Sequence, residues 1–249
     1  LLNFTTLCDD PVAETQDITV QLDSNGQVTI TPAQVDNGSL ANCGTSSLSL
    51  DVTDFDCSDI GQNTVTLTVT DVNNNSDSAT AIVTVEDSTA PIVNTQNITI
   101  QLNSSGFASI VADDIDNGST DNCGIDQVVV PPLVYTCSNI GTQIFAVAAN
   151  DVNGNPAGCQ VDVTIVDATA PMASCMDISI DLDASGNAAI IGEDVDDGST
   201  DNCGTLMYAV SPNTFDCTNL GGNTVTLTVT DGSGLSSTCS ATVTVNDVT

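Results

Sequence analysis

Hydrophobic and polar residues alternate along most of this chain with a period of two. In Asp17–Leu22, Ile18, Val20 and Leu22 fall on one face and Thr19 and Gln21 on the other. That pattern predicts a half-buried strand. Ser24-Asn25-Gly26 predicts a turn and Gln27–Thr31 a returning strand, and Asp36–Gly44 reads as a loop rich in Asp, Asn, Gly and Ser. Short strands are expected near Ser47–Asp51 and Asp54–Cys57. Val65, Leu67 and Val69 then point inward while Thr66, Thr68 and Thr70 face water. After the turn Asp71–Asn75, Ala79, Ala81, Val83 and Val85 point inward again. No stretch carries helical periodicity.

The pattern recurs. Asn63–Asp71 and Asn223–Asp231 both read NTVTLTVTD, and Gln143–Asp151 is a looser copy. Cys43, Cys123 and Cys203 are spaced by 80 residues, as are Cys57, Cys137 and Cys217. A period of 80 is too long for a solenoid unit and suits a small autonomous domain. About seven short strands per period predict an all-β fold, a tandem array of three immunoglobulin-like β-sandwich modules. The expected boundaries are 9–88, 89–168 and 169–249, with 1–8 ending a preceding segment. The linkers Val85–Pro91 and Ile165–Pro171 leave almost no slack, which predicts a semi-rigid rod.

Charge narrows the function. The chain has no Lys, Arg or His and 33 Asp plus Glu, a formal charge of −33. Nothing in it can neutralise phosphates, which argues against nucleic acid and against attraction to anionic membranes. Such a chain binds cations or lives in enough salt to screen itself. It is not a disordered acidic tail, because apolar residues make up 40% and alternate. Aromatics are 3% and Trp is absent, so small cores of Val, Ile, Leu and Ala must be cross-linked to be secure.

Ten cysteines can supply the links. Cys43–Cys57, Cys123–Cys137 and Cys203–Cys217 are the expected pairs, each closing a loop of about 15 residues worth roughly 3 kcal/mol. Cys175, just before the first strand of module three, can reach Cys239 in its last strand. Cys159 matches Cys239, but Thr95 stands at its partner position, which leaves Cys159 unpaired. Cys8 has no obvious mate. With no His and no tight Cys cluster a zinc site is not expected, and disulfides imply an extracytoplasmic, oxidising home. No apolar run approaches the roughly 18 residues of a membrane helix. Opening at Leu1 with no signal peptide, the sequence reads as a piece of a longer exported protein, without membrane insertion of its own.

Thr120-Asp121-Asn122-Cys123-Gly124 and Asp201-Asn202-Cys203-Gly204, with a Thr-Val-Thr strand and an Asp-x-Asn-Gly-Asn turn, resemble the HYR (hyalin) repeat. That is an immunoglobulin-like module of extracellular adhesive proteins. The Ala-Pro linker and the opening strand Gln-Asn-Ile-Thr-Ile-Gln-Leu resemble repeats of very large flavobacterial surface adhesins, including SprB-type gliding adhesins. Modules one and two depart from the HYR pattern in lacking the pair that Cys175 and Cys239 can form. The resemblance implies export, surface display and adhesion.

Strand polarity places three acidic segments at each junction. Between modules one and two they supply Asp87, Asp116, Asp121 and Asp151. Between two and three they supply Asp167, Asp196, Asp201 and Asp231. Clustered oxygen ligands without a counter-cation suit Ca²⁺. Left bare, they repel one another and loosen the joint. The competing account is that Asp and Asn are simply turn formers here. Module one has Ala41 where the others have Asp121 and Asp201, so its site would be weakest.

Catalysis is not expected. No carboxylate pair is unique to one module, and only Tyr135 and Tyr208 could form a sugar platform beyond the phenylalanines. The expected role is a structural stalk or filament segment of an adhesin. Its partners would be the other modules of the same long chain and an unidentified surface, glycan or protein. The alternative is a module that binds carbohydrate or a partner protein through an exposed sheet face. Module two carries apolar Ile144, Ala146 and Ala148 where the others show Thr, a possible contact stripe.

Overall fold

The structure, a computed structural model, describes residues 9–41, 44–130 and 133–248. It is almost entirely β, and each repeat gives the same six strands. In the first they are β1 (Ile18–Gln21), β2 (Gln27–Thr29), β3 (Thr45–Leu50), β4 (Asp54–Asp56), β5 (Gly61–Asp71) and β6 (Ser76–Glu86). The second has β7 (Ile98–Gln101), β8 (Phe107–Ile110), β9 (Ile125–Val129), β10 (Leu133–Thr136), β11 (Gly141–Asp151) and β12 (Pro156–Val166). The third has β13 (Ile178–Asp181), β14 (Asn187–Ala189), β15 (Leu206–Ser211), β16 (Thr214–Asp216), β17 (Gly221–Asp231) and β18 (Ser236–Asn246).

The first and third repeats each form a four-stranded sheet, in the orders β1-β6-β5-β3 and β13-β18-β17-β15. Opposite each lies a two-stranded ribbon, β2-β4 and β14-β16. In the second repeat β12 pairs with β7, β11 with β9 and β10 with β8. The opening strand of every repeat runs parallel to its last strand. It therefore leaves from one pole while the last strand arrives at the other, as the sequence reading required. Single helical turns at Pro32–Val35 and Ala112–Ile115 were not foreseen; at four residues each they are too short to show a periodicity.

Inward positions follow the alternation. Val65, Leu67 and Val69 are fully buried, as are Val225, Leu227 and Val229. Ile144, Ala146 and Ala148 are exposed, which confirms the outward direction of that stripe.

Packing divides the chain into two compact units. One comprises 1–95, 116–129 and 146–159; the other comprises 96–115, 130–145 and 160–249. The divisions fall inside the second repeat rather than between repeats. Each junction between consecutive repeats thus lies within a single unit, and a disulfide crosses each.

Cys57 is bonded to Cys123, Cys137 to Cys203, and Cys175 to Cys239. The first two run from one repeat to the next, which corrects the expected pairs Cys123–Cys137 and Cys203–Cys217; Cys57 is likewise not bonded to Cys43, which lies outside the described residues, as does Cys8. The third repeat shows why. Leu206, three residues after Cys203, pairs with Asp231 at the end of β17, whereas Cys217 lies just before Gly221 at its start. An eleven-residue strand spans about 35 Å, far beyond the Cα separation of about 7 Å that a disulfide tolerates. Cys175–Cys239 joins the segment just before β13 to the first part of β18, as expected. Cys159 is free, its sulfur 3.3 Å from Thr95 Oγ1, the position read as its missing partner.

Candidate cation sites at the repeat junctions

In the first unit, the linker after β6, the Asx loop before β9 and the turn between β11 and β12 meet. Ligand atoms of Asp87, Asp121 and Asp151 lie within 4.8 Å of one another. Asp87 Oδ1 accepts from Thr89 N (3.0 Å) and Asn122 Nδ2 (3.2 Å). Asp121 Oδ2 accepts from Cys123 N (2.8 Å) and Gly124 N (3.1 Å). These bonds fix each carboxylate with its other oxygen unused. Asp87 Oδ2, Asp121 Oδ1 and Asn122 Oδ1 are buried and have no hydrogen-bond partner among the described residues.

Asp151, 2% exposed, is satisfied differently. Its Oδ1 accepts from Asn153 N and Asn155 N, and its Oδ2 from Asn155 Nδ2. Burial pushes this carboxyl up, but the bonds from Asn155, Asn153 and Gly154 outweigh burial and hold it below its ordinary value. Asp71, the equivalent residue of the first repeat, is held down in the same way by Asn75 and Asn73 against burial. Asn155 Nδ2 also reaches the Asp87 carbonyl at 3.1 Å, tying turn to linker.

The second unit repeats the arrangement with one change. Asp167 Oδ1 accepts from Thr169 N and Asn202 Nδ2, both at 3.1 Å, and Asp201 Oδ2 from Cys203 N at 2.7 Å. Asp167 Oδ2, Asp201 Oδ1 and Asn202 Oδ1 are again buried and unpartnered. Asp167 and Asp201 group with the sulfur of Cys203, but that sulfur is bonded to Cys137 and offers no thiolate. Asp231, 1% exposed, has an unpartnered Oδ2 as well. The third repeat has Leu235 where the second has Asn155, so the side-chain donor is missing. A cleft of about 470 Å³ opens beside this group, lined in part by Asp167, Cys203 and Ser233.

Of the eight acidic residues read from the sequence, Asp87, Asp121 and Asp151 meet in the first unit, and Asp167 and Asp201 in the second, while Asp231 does not join that group. Asp116 and Asp196 are occupied elsewhere in their loops. Asp116 accepts from Ser119 N and its backbone bridges Thr95; Asp196 accepts from Ser199 N and Gly198 N and bridges Cys175. Asn122 and Asn202 were missed as candidate ligands, although the Asp-Asn-Cys-Gly recurrence marked both.

A buried carboxylate oxygen with no donor is costly, and no side-chain cation exists in this chain to neutralise it. The donor set at each junction is all oxygen, carboxylates plus an amide carbonyl. That set fits a hard divalent cation, with water completing a shell of six to eight.

No protein-family model matches the sequence, and no curated protein matches it. Among solved structures, the chain is similar to PcdhgB3 EC1-4, with 14% identity and a TM-score of 0.37, covering 97% of this chain and 77% of that one. Drosophila N-cadherin EC1-3 gives 14% identity and 0.35, covering 94% and 99%. A three-Ig fragment of titin gives 10% and 0.38, covering 95% and 99%. Likenesses at this level define no family, and the all-β sandwich rests on the strand order itself.

Proposed function

We propose that this chain is a structural segment of a secreted or surface-anchored repetitive adhesin, with consecutive immunoglobulin-like repeats held together by disulfides and by Ca²⁺ at each junction. The carrying observation is the set of buried, donorless oxygens of Asp87, Asp121 and Asn122, repeated at Asp167, Asp201, Asn202 and Asp231, in a chain without a cationic side chain. Asp87 and Asp167 in the linkers, with Asp121 and Asp201 in the Asx loops, would hold the ion, and the ion would neutralise them and stiffen the joint. The three disulfides among the described residues support an oxidising, extracellular home. The resemblance to HYR repeats and to flavobacterial gliding adhesins supports surface display. Among the described residues no helix is long and apolar enough to cross a membrane.

The test is calorimetric titration of Ca²⁺ into the full chain, with thermal unfolding in Ca²⁺ and in EGTA. Binding at two junctions is expected, with about 2.7 kcal/mol of stabilisation per site at a hundredfold excess over Kd. Absent heat and superimposable melts would reduce the acidic loops to ordinary turns. A second reading, a binding face for carbohydrate or protein, draws on the exposed apolar stripe of β11, Ile144 with Ala146 and Ala148. Glycan-array binding by the chelated chain would favour it.

A further inference from the structure

Cys217 is free and exposed, yet it occupies the same place as two bonded cysteines. Cys57, Cys137 and Cys217 each open a 3-10 turn directly after β4, β10 and β16. The turn is built alike in all three. Asp56 N donates to Asp59 Oδ2, Thr136 N to Asn139 Oδ1 and Asp216 N to Asn219 Oδ1, each at 2.9 Å. The three sulfurs stand at 3.7, 3.9 and 3.8 Å from the carbonyl oxygens of Gly26, Gly106 and Gly186. The unbonded sulfur is therefore already where the bonded ones are.

The surroundings of the bonded pairs show what this place receives. A Cβ on Gly26 would stand 2.8 Å from the carbonyl oxygen of Asn122, and one on Gly106 equally close to that of Asn202. The missing side chain is what lets the next repeat's loop sit down. Asn122 Nδ2 then donates to Asp23 O (3.1 Å) and Asn202 Nδ2 to Asn103 O (3.2 Å). The third repeat keeps every part of this seat. Gly186 has φ +76°, against +72° and +77° at Gly26 and Gly106, and among the described residues the only atom that its Cβ would crowd is the Cys217 sulfur. Gly186 N closes the same turn onto Asp183 O at 2.9 Å, the carbonyl equivalent to those of Asp23 and Asn103.

We infer that Asp183, Gly186 and Cys217 form a seat for the Asp-Asn-Cys-Gly loop of a further repeat of this kind, closed by a disulfide to Cys217. The loop asparagine donates to the Asp183 carbonyl, its own carbonyl lies over the bare Cα of Gly186, and its cysteine meets Cys217. Closure removes one proton from each thiol and passes two electrons to a low-molecular-weight disulfide, which leaves as two thiols. This inference needs no cation at the junction.

The experiment uses the full chain and a synthetic peptide, Gly-Ser-Thr-Asp-Asn-Cys-Gly, whose cysteine is a mixed disulfide with thionitrobenzoate. The Cys217 thiolate attacks the peptide sulfur, the new S–S bond forms, and coloured thionitrobenzoate leaves, so the exchange is redox-balanced. The comparison peptide has alanine in place of asparagine. We expect the asparagine peptide to modify Cys217 about fivefold faster, the factor that one net hydrogen bond supplies. Mapping of the unreduced digest should place the adduct on Cys217, and Cys217→Ser should remove the fast phase. Equal rates for the two peptides, or no adduct on Cys217, would overturn the assignment.

Discussion

Asn155 Nδ2 donates to Asp151 Oδ2 over 2.7 Å, and this one bond separates the two junctions chemically. At the matching place in the third repeat Leu235 offers no donor, and Asp231 Oδ2 is left buried and unpartnered. The turn carboxylate of the second repeat is thus bonded from within and groups with Asp87 and Asp121, whereas that of the third keeps an unpartnered oxygen and does not group with Asp167 and Asp201.

Replacing the donor should be visible in titration. Asn155→Leu removes the strongest of the interactions that hold the Asp151 carboxyl down, while the burial that pushes it up stays. Its pKa should rise, which carboxyl NMR shifts would report. A depressed folded pKa contributes stability that is present above the ordinary value of 3.8 and lost as pH falls through the folded value. The wild type should therefore be more stable than Asn155→Leu near neutrality, by about 1 kcal/mol. The gap should close in acid; a gap that widened below the ordinary carboxylate range would contradict the assignment.

Cutting either inter-repeat disulfide should be expensive. The Cys57–Cys123 link closes a separation of 66 residues, for which the chain-entropy relation gives about 4 kcal/mol. Cys57→Ser, Cys123→Ser and the double replacement should lower stability by similar amounts in urea. If Cys123→Ser were damaging and Cys57→Ser harmless, the two cysteines would not be partners.

The strands and the Cys175–Cys239 link were legible in the sequence and the two inter-repeat links were not, for one arithmetical reason. The spacing from Cys43 to Cys57 and that from Cys57 to Cys123 together make one period of 80. A perfect repeat therefore preserves both pairings equally, and only the strand geometry decides between them. Alternation in segments such as Val65–Val69 gave the buried face directly, because side-chain direction in a strand is local. The convergence of Asp87, Asp121 and Asp151 was also readable, since it follows from strand polarity. Which oxygens stay unused depends on individual donors such as Asn122 Nδ2, and no pattern of residue types reports that.

Tyr135 gives a separate test of the core. It occupies the β10 position corresponding to Phe55 and Phe215, is 5% exposed, and its hydroxyl finds no partner among the described residues. Burial alone raises its pKa. Tyr135→Phe removes an unsatisfied polar atom without changing the ring, so stability should increase by about 1 kcal/mol. A loss on thermal melting would mean that the hydroxyl is bonded to water.

Outward and inward positions of the equivalent long strands β11 and β17 should respond differently to substitution. Ile144 on β11 is 64% exposed, and Thr is the residue that the first and third repeats carry at this position. Ile144→Thr should shift stability by no more than about 0.5 kcal/mol. Leu227 on β17 is fully buried, and Leu227→Ala should cost about 2–5 kcal/mol through lost contact and the cavity left behind. Urea unfolding of both variants at matched concentration separates packing from association. If Ile144→Thr leaves the midpoint unchanged but lowers self-association in sedimentation, the apolar stripe is a contact face. If neither changes, the stripe is a tolerated drift of the second repeat, and binding should be sought at the junctions instead.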